Sequence, residues 1–483
     1  MRFGAQASVT REEGAVTPGQ IGRVTTGWLF LFSWAVLGCF VHTIDQRAWN
    51  VQHAWVEAMG ERGEFHLDGA TLPEFSGLDD DTYVAADGHR YARNAPALYL
   101  HAAVVYRVLH RTAGLSYRND FEHVSCLVAW LVTGFTTALT ITLMAHLGAG
   151  LTGSAAGGVT LGLAYGLGTL VLPWSGLPYQ HQSAAVLVVA ALYLGRRLHE
   201  GGGPWAAVGA GLCLGLVPFT SYAQIPVAAC VGLYALHGCR SHRERAILAG
   251  ASLAALIPTL AVNAAYWGGP FTTVYQASGD PEVVELIPSW SLAWSRLHFY
   301  FTDPTSSMFV YAPVLALGVV GLIALPARNR AIQLTALAGT VVTLLHLVIV
   351  GGRGAAQWGP RLVLPFTPLL ALGLAWWWGS RNRRVVLGVV TAVSILFCSA
   401  GASGPVVYLK TGKKNGVVAY LPFLVGEGNW RKVLHRDQVA LLSVGGDPDL
   451  HFPLRGALGW AALVAGVGLA HSLARGSSPV RRA

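Results

Sequence analysis

The sequence of 483 residues contains little charge. Asp, Glu, Lys and Arg make up 12% of it, whereas soluble domains usually carry about 25%. Hydrophobic residues account for 53% of the chain, and a soluble protein of this length needs more polar surface than the remaining side chains supply. The composition therefore excludes a disordered, collagen-like or disulfide-rich secreted chain and predicts a polytopic membrane protein.

Cysteine and lysine are also scarce. The six cysteines lie in apolar runs or at their ends and form no Cys-x-x-Cys pair, so we interpret them as packing residues. The four lysines all fall within residues 410–432. The formal net charge of +9 comes from 33 basic and 24 acidic residues, and much of the arginine lies at the ends of apolar runs. The sequence also has no zinc-ligand spacing of the kind found in zinc fingers. We therefore expect no nucleic-acid partner.

Twelve apolar runs are candidates for membrane spans, each of which needs about 20 mostly apolar residues. We predict an all-α polytopic fold with about twelve transmembrane helices and a long first outer loop over residues 45–122. Within the third run, Gly158, Gly162 and Gly166 recur at a spacing that favours close helix packing. The predicted spans cover residues 24–44, 123–146, 154–172, 182–195, 205–219, 222–238, 246–267, 307–325, 331–350, 362–378, 385–403 and 456–474.

Arginine in the short loops sets the predicted orientation. It accumulates between alternate spans and at both termini, which places those loops and both termini in the cytoplasm. The long loops, with most of the acidic residues, then face outward. We therefore expect an integral protein of the bacterial cytoplasmic (inner) membrane with its active site facing the periplasm or cell exterior. The predicted units are a cytoplasmic tail (1–23), a transmembrane module (24–403), a last outer loop (404–455), and a final helix with a cytoplasmic tail (456–483).

The first outer loop contains two amphipathic segments. Asp45 is the first acidic residue after the first apolar run, at the outer end of that span. We predict two interfacial helices, joined by a polar turn, that roof a lipid-facing cavity. Their apolar faces consist of Val51, Trp55 and Met59 in the first helix, and Leu98, Ala102, Val105 and Leu109 in the second.

Motifs along the chain resemble those of one enzyme superfamily. Residues 87–97 read DGHRYARNAPA, similar to a pattern D-G-x-x-Y-x-x-x-P-P-G, from which Ala95 and Ala97 depart. In order along the chain follow GTLVLPWS (168–175), NAAYWGGP (263–270), FVYAP (309–313) and WGPRLVLP (358–365). Together they resemble the GT-C superfamily of polyprenyl-phosphate-dependent glycosyltransferases, close to the bacterial relatives of protein mannosyltransferases. Where that family often has an acidic residue at the start of a helix, this chain has Gln180, His181 and Gln182.

The resemblance implies an inverting glycosyltransferase that moves one sugar from a polyprenyl-phosphate donor to an acceptor hydroxyl at the outer membrane face. Asp45 is the candidate general base for the acceptor proton. Arg361 is the candidate ligand of the lipid phosphate, because a guanidinium bonds two phosphate oxygens at once. The alternatives are a helix-terminal aspartate that only ends a span in water, and an arginine that snorkels to the interface.

Six further residues are weaker candidates for the same site. Arg93 and Arg90 are second candidates for the phosphate, and solvated loop arginines are the alternative. His89 and Tyr91 are candidate contacts of sugar hydroxyls, although ordinary loop packing explains them equally well. His181 and Gln182 are candidates for lining the sugar pocket, or else they cap and anchor a helix at the interface.

No cofactor is predicted. Asp79, Asp80 and Asp81 could hold a divalent cation, but consecutive loop acids are usually solvated, so we predict no metal site. The basic and aromatic residues of the loop 405–455 either guide an anionic substrate or meet anionic lipid headgroups. The expected partners are a polyprenyl-phosphate-linked donor, a protein, lipid or glycan acceptor, and membrane lipids.

Two other functions compete with the enzyme. A transporter or flippase for a lipid-linked cell-envelope intermediate would have a similar span layout, but charges at mid-membrane, typical of ion-coupled transporters, are missing from the predicted spans. A non-catalytic scaffold of a cell-envelope assembly would tolerate loss of the Asp45 carboxylate. The sequence leaves the sugar, the acceptor, the oligomeric state and the source organism open.

Overall fold

The chain is almost entirely helical. The structure, a computed structural model, describes residues 20–70, 82–85, 87–279, 289–350, 358–404, 406, 416–425, 427 and 454–476. The helices of the first half are α1 (Arg23–Gly38), α2 (Thr43–Ala48), α3 (Asn50–Glu57), α4 (Ala97–Ala113), α5 (Phe121–Ala129), α6 (Phe135–Thr152), α7 (Ala155–Gly168), α8 (Val171–Trp174), α9 (Gln180–His199), α10 (Gly203–Thr220) and α11 (Ile225–Gly238). Those of the second half are α12 (His242–Tyr266), α13 (Val274–Ala277), α14 (Trp290–Phe301), α15 (Met308–Tyr311), α16 (Val314–Ile323), α17 (Arg330–Val350), α18 (Thr367–Ala371), α19 (Leu374–Trp377), α20 (Arg381–Ser403), α21 (Gly416–Tyr420) and α22 (Arg455–Gly476).

Among the described residues, six helical segments are long and apolar enough to cross a membrane. Each coincides with a predicted span, and the other six predicted spans fall on helices that are shorter or carry polar ends. The prediction of an all-α polytopic membrane protein is thus confirmed. The six segments are Phe121–Thr152, Gly203–Thr220, His242–Tyr266, Ala327–Ile349, Arg381–Ser403 and Arg455–Arg475.

Glycines allow several helices to approach closely. A Cβ added at Gly158 would lie 2.3 Å from the Ala145 carbonyl oxygen, and one at Gly162 would lie 2.7 Å from that of Ile141. The predicted packing role of the repeated glycines in α7 is therefore confirmed, against α6. A Cβ at Gly373, in the break between α18 and α19, would lie 2.0 Å from the Gly318 carbonyl oxygen of α16.

The first span is shorter than predicted. Helix α1 ends at Gly38, the chain turns, and an extended His42 begins the separate short helix α2, which contains Asp45. The His42 side chain hydrogen-bonds the Ala402 carbonyl oxygen near the end of α20. We refer to this end of the bundle as the Asp45 end.

The first loop is more compact than the amphipathic pattern predicted. Helix α3 is buried on all sides, so it is not an interfacial helix with one polar face. It packs against α4, where Trp55 contacts the Tyr99 ring at 5.4 Å between centroids. Only α4 keeps a one-sided pattern, with Val104 and Val108 exposed on the opposite face.

The predicted polar turn between these helices contains a β-hairpin. Strand β1 (Thr82–Val84) pairs antiparallel with β2 (Arg90–Ala92), and Tyr83 lies opposite Tyr91. Such short strands produce no detectable alternation in the sequence. The acidic run 79–81 lies outside the described residues.

Candidate functional site

Asp45 is buried rather than held in water at a helix end. It lies in the first turn of α2 with 3% of its surface exposed. The Val406 N–H donates to Asp45 Oδ1 at 2.9 Å, and the Val406 carbonyl oxygen accepts from the Trp358 N–H at 2.8 Å. One backbone position therefore connects Asp45 to the turn that carries Arg361.

The turn 358–361 is fixed by packing. The fully buried Trp358 ring contacts Tyr311 at 4.9 Å and Tyr420 at 4.8 Å between centroids. A Cβ at Gly401 would lie 2.1 Å from that ring, so the indole lies directly on the α20 backbone. Gly359 adopts φ +66°, a conformation that glycine accepts without strain. Arg361 comes two residues after Gly359, so this turn fixes the position of its backbone.

Arg361 lies over an aromatic cluster. Its Cζ is 5.6 Å from the centroid of the Tyr179 ring, a cation–π distance. The Tyr179 ring also contacts Trp49 at 5.4 Å and Trp174 at 4.9 Å between centroids. Trp49 comes four residues after Asp45, so the segment that carries Asp45 reaches the same cluster as the guanidinium. We call it the Tyr179 cluster (Trp49, Trp174, Tyr179).

Two arginines here lack an acceptor. The Nε atoms of Arg361 and Arg93 are buried and have no hydrogen-bond partner among the described residues. Arg93 lies two residues before Ala95, whose N–H donates to Gln180 Oε1 at 3.0 Å, so the backbone near Arg93 runs beside the start of α9. Arg361 lies over Tyr179, the residue before Gln180. A buried donor without an acceptor costs free energy, and a guanidinium is suited to phosphate or carboxylate. The arrangement can bind an anion.

His181 and Gln182 follow Tyr179 at the start of α9. The His181 ring contacts Tyr179 at 4.9 Å between centroids, and its Nδ1 hydrogen-bonds Ser221 Oγ at 2.6 Å. Gln182 is directed away from the cluster, because its Nε2 donates to Thr137 Oγ1 on α6 at 3.1 Å. Of this predicted pair, His181 contacts the Tyr179 ring, whereas Gln182 bonds to α6 instead.

The predicted contacts His89, Arg90 and Tyr91 all lie in the hairpin. The Tyr91 hydroxyl donates to Asp87 Oδ2 at 2.7 Å, and the His89 N–H donates to Asp87 Oδ1 at 2.9 Å. These bonds lower the pKa of Asp87. The Tyr91 ring packs on Trp267, which lies in the motif 263–270, at 5.6 Å between centroids. The Asp-Gly-x-x-Tyr pattern thus closes and anchors a hairpin.

A buried hydrogen-bond chain that the sequence did not reveal supports α2. Gln46 Nε2 donates to the Gly176 carbonyl oxygen at 2.8 Å, which leaves Gln46 Oε1 to accept from His53 Nε2–H at 3.0 Å. His53 Nδ1 then accepts from the Tyr117 hydroxyl at 3.0 Å. Burial lowers the pKa of His53 to about 3, so the ring is neutral. Tyr179 and Trp49 were also missed, although the four-residue spacing of Trp49 from Asp45 was a usable signal.

Together the fold and this site define a polytopic α-helical membrane protein with a buried carboxylate and, among the described residues, two arginines whose buried Nε atoms have no acceptor. No protein-family model matches the sequence, and no curated protein matches it either. Among solved structures, the fold is similar to that of ArnT from Cupriavidus metallidurans, crystallised with undecaprenyl phosphate. The TM-score is 0.50 at 14% sequence identity, over 93% of this chain and 77% of ArnT. The polytopic α-helical fold that the resemblance implied is therefore confirmed, whereas the GT-C superfamily and its mannosyltransferase-like subgroup stay predictions.

Proposed function

We propose that this protein is a membrane glycosyltransferase that transfers one sugar from a polyprenyl-phosphate donor to an acceptor hydroxyl at the outer face of the bacterial cytoplasmic membrane. The observation that carries the proposal is the pair of guanidinium groups, Arg361 and Arg93, with buried Nε atoms and no acceptor among the described residues. The shared fold with ArnT, which was crystallised with undecaprenyl phosphate, supports the class of ligand.

Arg361 holds the lipid phosphate in this proposal. Its guanidinium offers two parallel N–H groups to phosphate oxygens, and its contact with Tyr179 restricts its orientation. As the bond between the anomeric carbon and the phosphate oxygen breaks, negative charge grows on the phosphate. A fixed cation stabilises that charge most strongly in a site shielded from water. Arg93, two residues before the Ala95 N–H that bonds Gln180, supplies a second cation.

Asp45 acts as the general base. The acceptor hydroxyl oxygen forms a bond to the anomeric carbon, its proton passes to the Asp45 carboxylate, and the electron pair of the broken bond leaves with the polyprenyl phosphate. Attack on the face opposite the leaving group inverts the anomeric configuration. The Val406 N–H bond to Oδ1 orients the carboxylate during this step.

The remaining predicted contacts divide into two groups. His181, against the Tyr179 ring, is placed to contact the sugar in this proposal. Gln182 supports α9 through Thr137. His89, Arg90 and Tyr91 maintain the hairpin, and their direct contact with substrate stays a prediction.

Transfer and lipid binding by the purified protein test the proposal together. The full chain in nanodiscs is incubated with membrane extract and a panel of undecaprenyl-phosphate sugars labelled in the sugar, and binding of undecaprenyl phosphate is measured by native mass spectrometry. We expect labelled product from one donor. We also expect Arg361→Met to weaken lipid binding by about 10–100-fold, the value of a hydrogen bond to a charged group.

Arg383→Met is the matched control. Arg383 also lies over an aromatic ring, that of Trp376, at 3.8 Å. It is separated from Ala402 by 19 residues of α20, or roughly 28 Å along the helix, so its loss should leave binding unchanged. Absence of both transfer and Arg361-dependent binding would contradict the proposal. Binding without transfer, together with movement of labelled lipid between leaflets of proteoliposomes, would favour the flippase.

A further inference from the structure

Three potential metal ligands meet beside the hairpin, outside the Tyr179 cluster. Ligand atoms of His66, Asp68 and His89 all lie within 4.8 Å of one another. His89 Nδ1 is 2.5 Å, and His66 Nδ1 3.4 Å, from the same oxygen, Asp68 Oδ2. The two imidazole rings are nearly parallel, at 11°, with centroids 4.4 Å apart. Both rings therefore present Nδ1 to one carboxylate oxygen.

The backbone holds these three side chains together before any ion arrives. The Leu67 N–H donates to the Arg90 carbonyl oxygen at 2.8 Å, so residues 66–68 run beside β2. The chain bends here, and Leu67 is buried while its neighbours His66 and Asp68 are both more exposed. Gly88, at φ +84°, makes the turn that brings His89 to the same face.

The second Asp68 oxygen is already fixed. Asp68 Oδ1 accepts the Arg90 N–H at 2.8 Å, which leaves Oδ2 directed at the two imidazoles. This is the role of the outer hydrogen bonds that orient ligands in metal sites. The buried His66 Nδ1 has no hydrogen-bond partner among the described residues. An ion pair between Asp68 and His89 does not use His66, whereas a metal uses all three side chains.

The donor set identifies the ion. Two imidazole nitrogens and one carboxylate oxygen suit Zn²⁺, while Mg²⁺ and Ca²⁺ prefer oxygen ligands. Zn–ligand distances of about 2.0–2.1 Å place tetrahedral ligand atoms about 3.3 Å apart. The His66–Asp68 distance of 3.4 Å already matches this spacing. The shorter His89–Asp68 contact is a hydrogen bond. If an ion replaces its proton, His89 Nδ1 and Asp68 Oδ2 must move apart by roughly 1 Å or slightly less.

We propose that His66, Asp68 and His89 bind one Zn²⁺ ion, with the fourth position open to water or to a group of a bound molecule. The ion clamps the segment 66–68 to the hairpin. Because the hairpin packs on Trp267 through Tyr91, the clamp stabilises the first loop against the rest of the bundle.

Zinc stoichiometry of the full chain tests the site. Protein freed of any affinity tag is stripped with chelator, dialysed against buffered Zn²⁺ in detergent, and measured by inductively coupled plasma mass spectrometry and by thermal melting. We expect one equivalent of Zn²⁺ and a higher melting temperature with the ion. His66→Asn, Asp68→Asn and His89→Asn should each weaken binding by more than about tenfold, since even loss of a group that hydrogen-bonds a metal ligand costs about 10–100-fold.

His101→Asn is the matched control, because His101 is an exposed histidine of the neighbouring α4. It should retain the equivalent of Zn²⁺ and the melting shift. The proposal would be overturned if a His66→Asn/His89→Asn double variant kept both the equivalent of Zn²⁺ and the melting shift. It would also be overturned if the wild type bound Zn²⁺ no more tightly than this double variant. Excess Mg²⁺ or Ca²⁺ should not displace the ion, and displacement by either would contradict the zinc assignment.

Discussion

The hairpin and the Tyr179 cluster lie close to each other but satisfy their charged groups in opposite ways. In the hairpin region, Asp68 and Asp87 each accept two hydrogen bonds, and those bonds belong to the hairpin and its flanks. Arg361 at the cluster and Arg93 near Gln180 have no acid partner among the described residues, and each has a buried Nε without an acceptor. Gln180 joins the two regions, because it accepts from Ala95 and donates to the Tyr275 hydroxyl.

This difference distinguishes polar groups that maintain the fold from polar groups that are available to bind a ligand. Exposed, mutually paired groups such as those of the hairpin add little free energy but determine local geometry. A partly buried cation without a partner is costly, and a chain retains it where a ligand supplies the missing charge. Substitutions at the cluster should therefore affect substrate, while equivalent substitutions in the hairpin should affect local structure.

Asp45→Asn should have the largest effect. We expect transfer to fall by about 10²–10⁴-fold, the usual contribution of a general base. Folding should survive, because the asparagine oxygen can still accept the Val406 N–H bond. The measurements are turnover of labelled donor and thermal melting. Asp87→Asn, in the hairpin, is the control and should change turnover far less. Wild-type turnover in Asp45→Asn would show that Asp45 is not the general base.

Arg93→Met should rank second. Loss of one charged hydrogen bond to the donor phosphate raises the donor KM by about 10–100-fold, with a smaller change in kcat. Arg90→Met removes an identical side chain three residues away, on the hairpin, and should leave the KM close to that of the wild type. Equal effects of the two substitutions on initial rates would show that the comparison between the regions does not hold.

Most of the fold, but less of the site, could be predicted from the sequence. Hydropathy located the helices, and the spacing of Gly158, Gly162 and Gly166 identified their close contact, because both signals are local. The burial of Asp45 depends on Val406, 361 positions away along the chain. The seating of Trp358 on Gly401 likewise depends on tertiary packing, and no local pattern reports it.

The first loop shows the same limit. An amphipathic pattern in α3 predicted one buried face, but the packing of α4 around it buried the rest, including His53. The order of the motifs was informative because Tyr91 and Trp267, which come from two of them, meet in the fold. Whether a motif anchors the hairpin or belongs to the ligand site could be decided only from the hydrogen bonds in the structure.

Tyr179→Leu should have a moderate effect. It removes the ring beneath Arg361, and a cation–π contact is worth about 0.5–2 kcal/mol, so lipid binding should weaken by about 2–30-fold. Tyr179→Phe keeps the ring and removes only a hydroxyl that has no hydrogen-bond partner among the described residues. It should bind like the wild type. Titration of undecaprenyl phosphate measures both, and weaker binding by Tyr179→Phe would implicate the hydroxyl instead of the ring.

His53→Gln should have the smallest effect at neutral pH, and it tests a third arrangement, in which buried polar groups are fully paired without a ligand. Burial holds the pKa of His53 at about 3, against 6.5 for an accessible imidazole, so the unfolded chain takes up a proton first as the pH falls. The stability that this neutral ring contributes is complete above pH 6.5 and is lost progressively toward pH 3. Melting curves across that range should therefore fall more steeply for the wild type than for His53→Gln, because carboxylates titrate equally in both proteins. Parallel curves would mean that the Gln46–His53–Tyr117 hydrogen-bond chain accommodates a charged imidazole. In that case, the hydrogen bonds of the neutral ring would not be what keeps α2 and Asp45 in position.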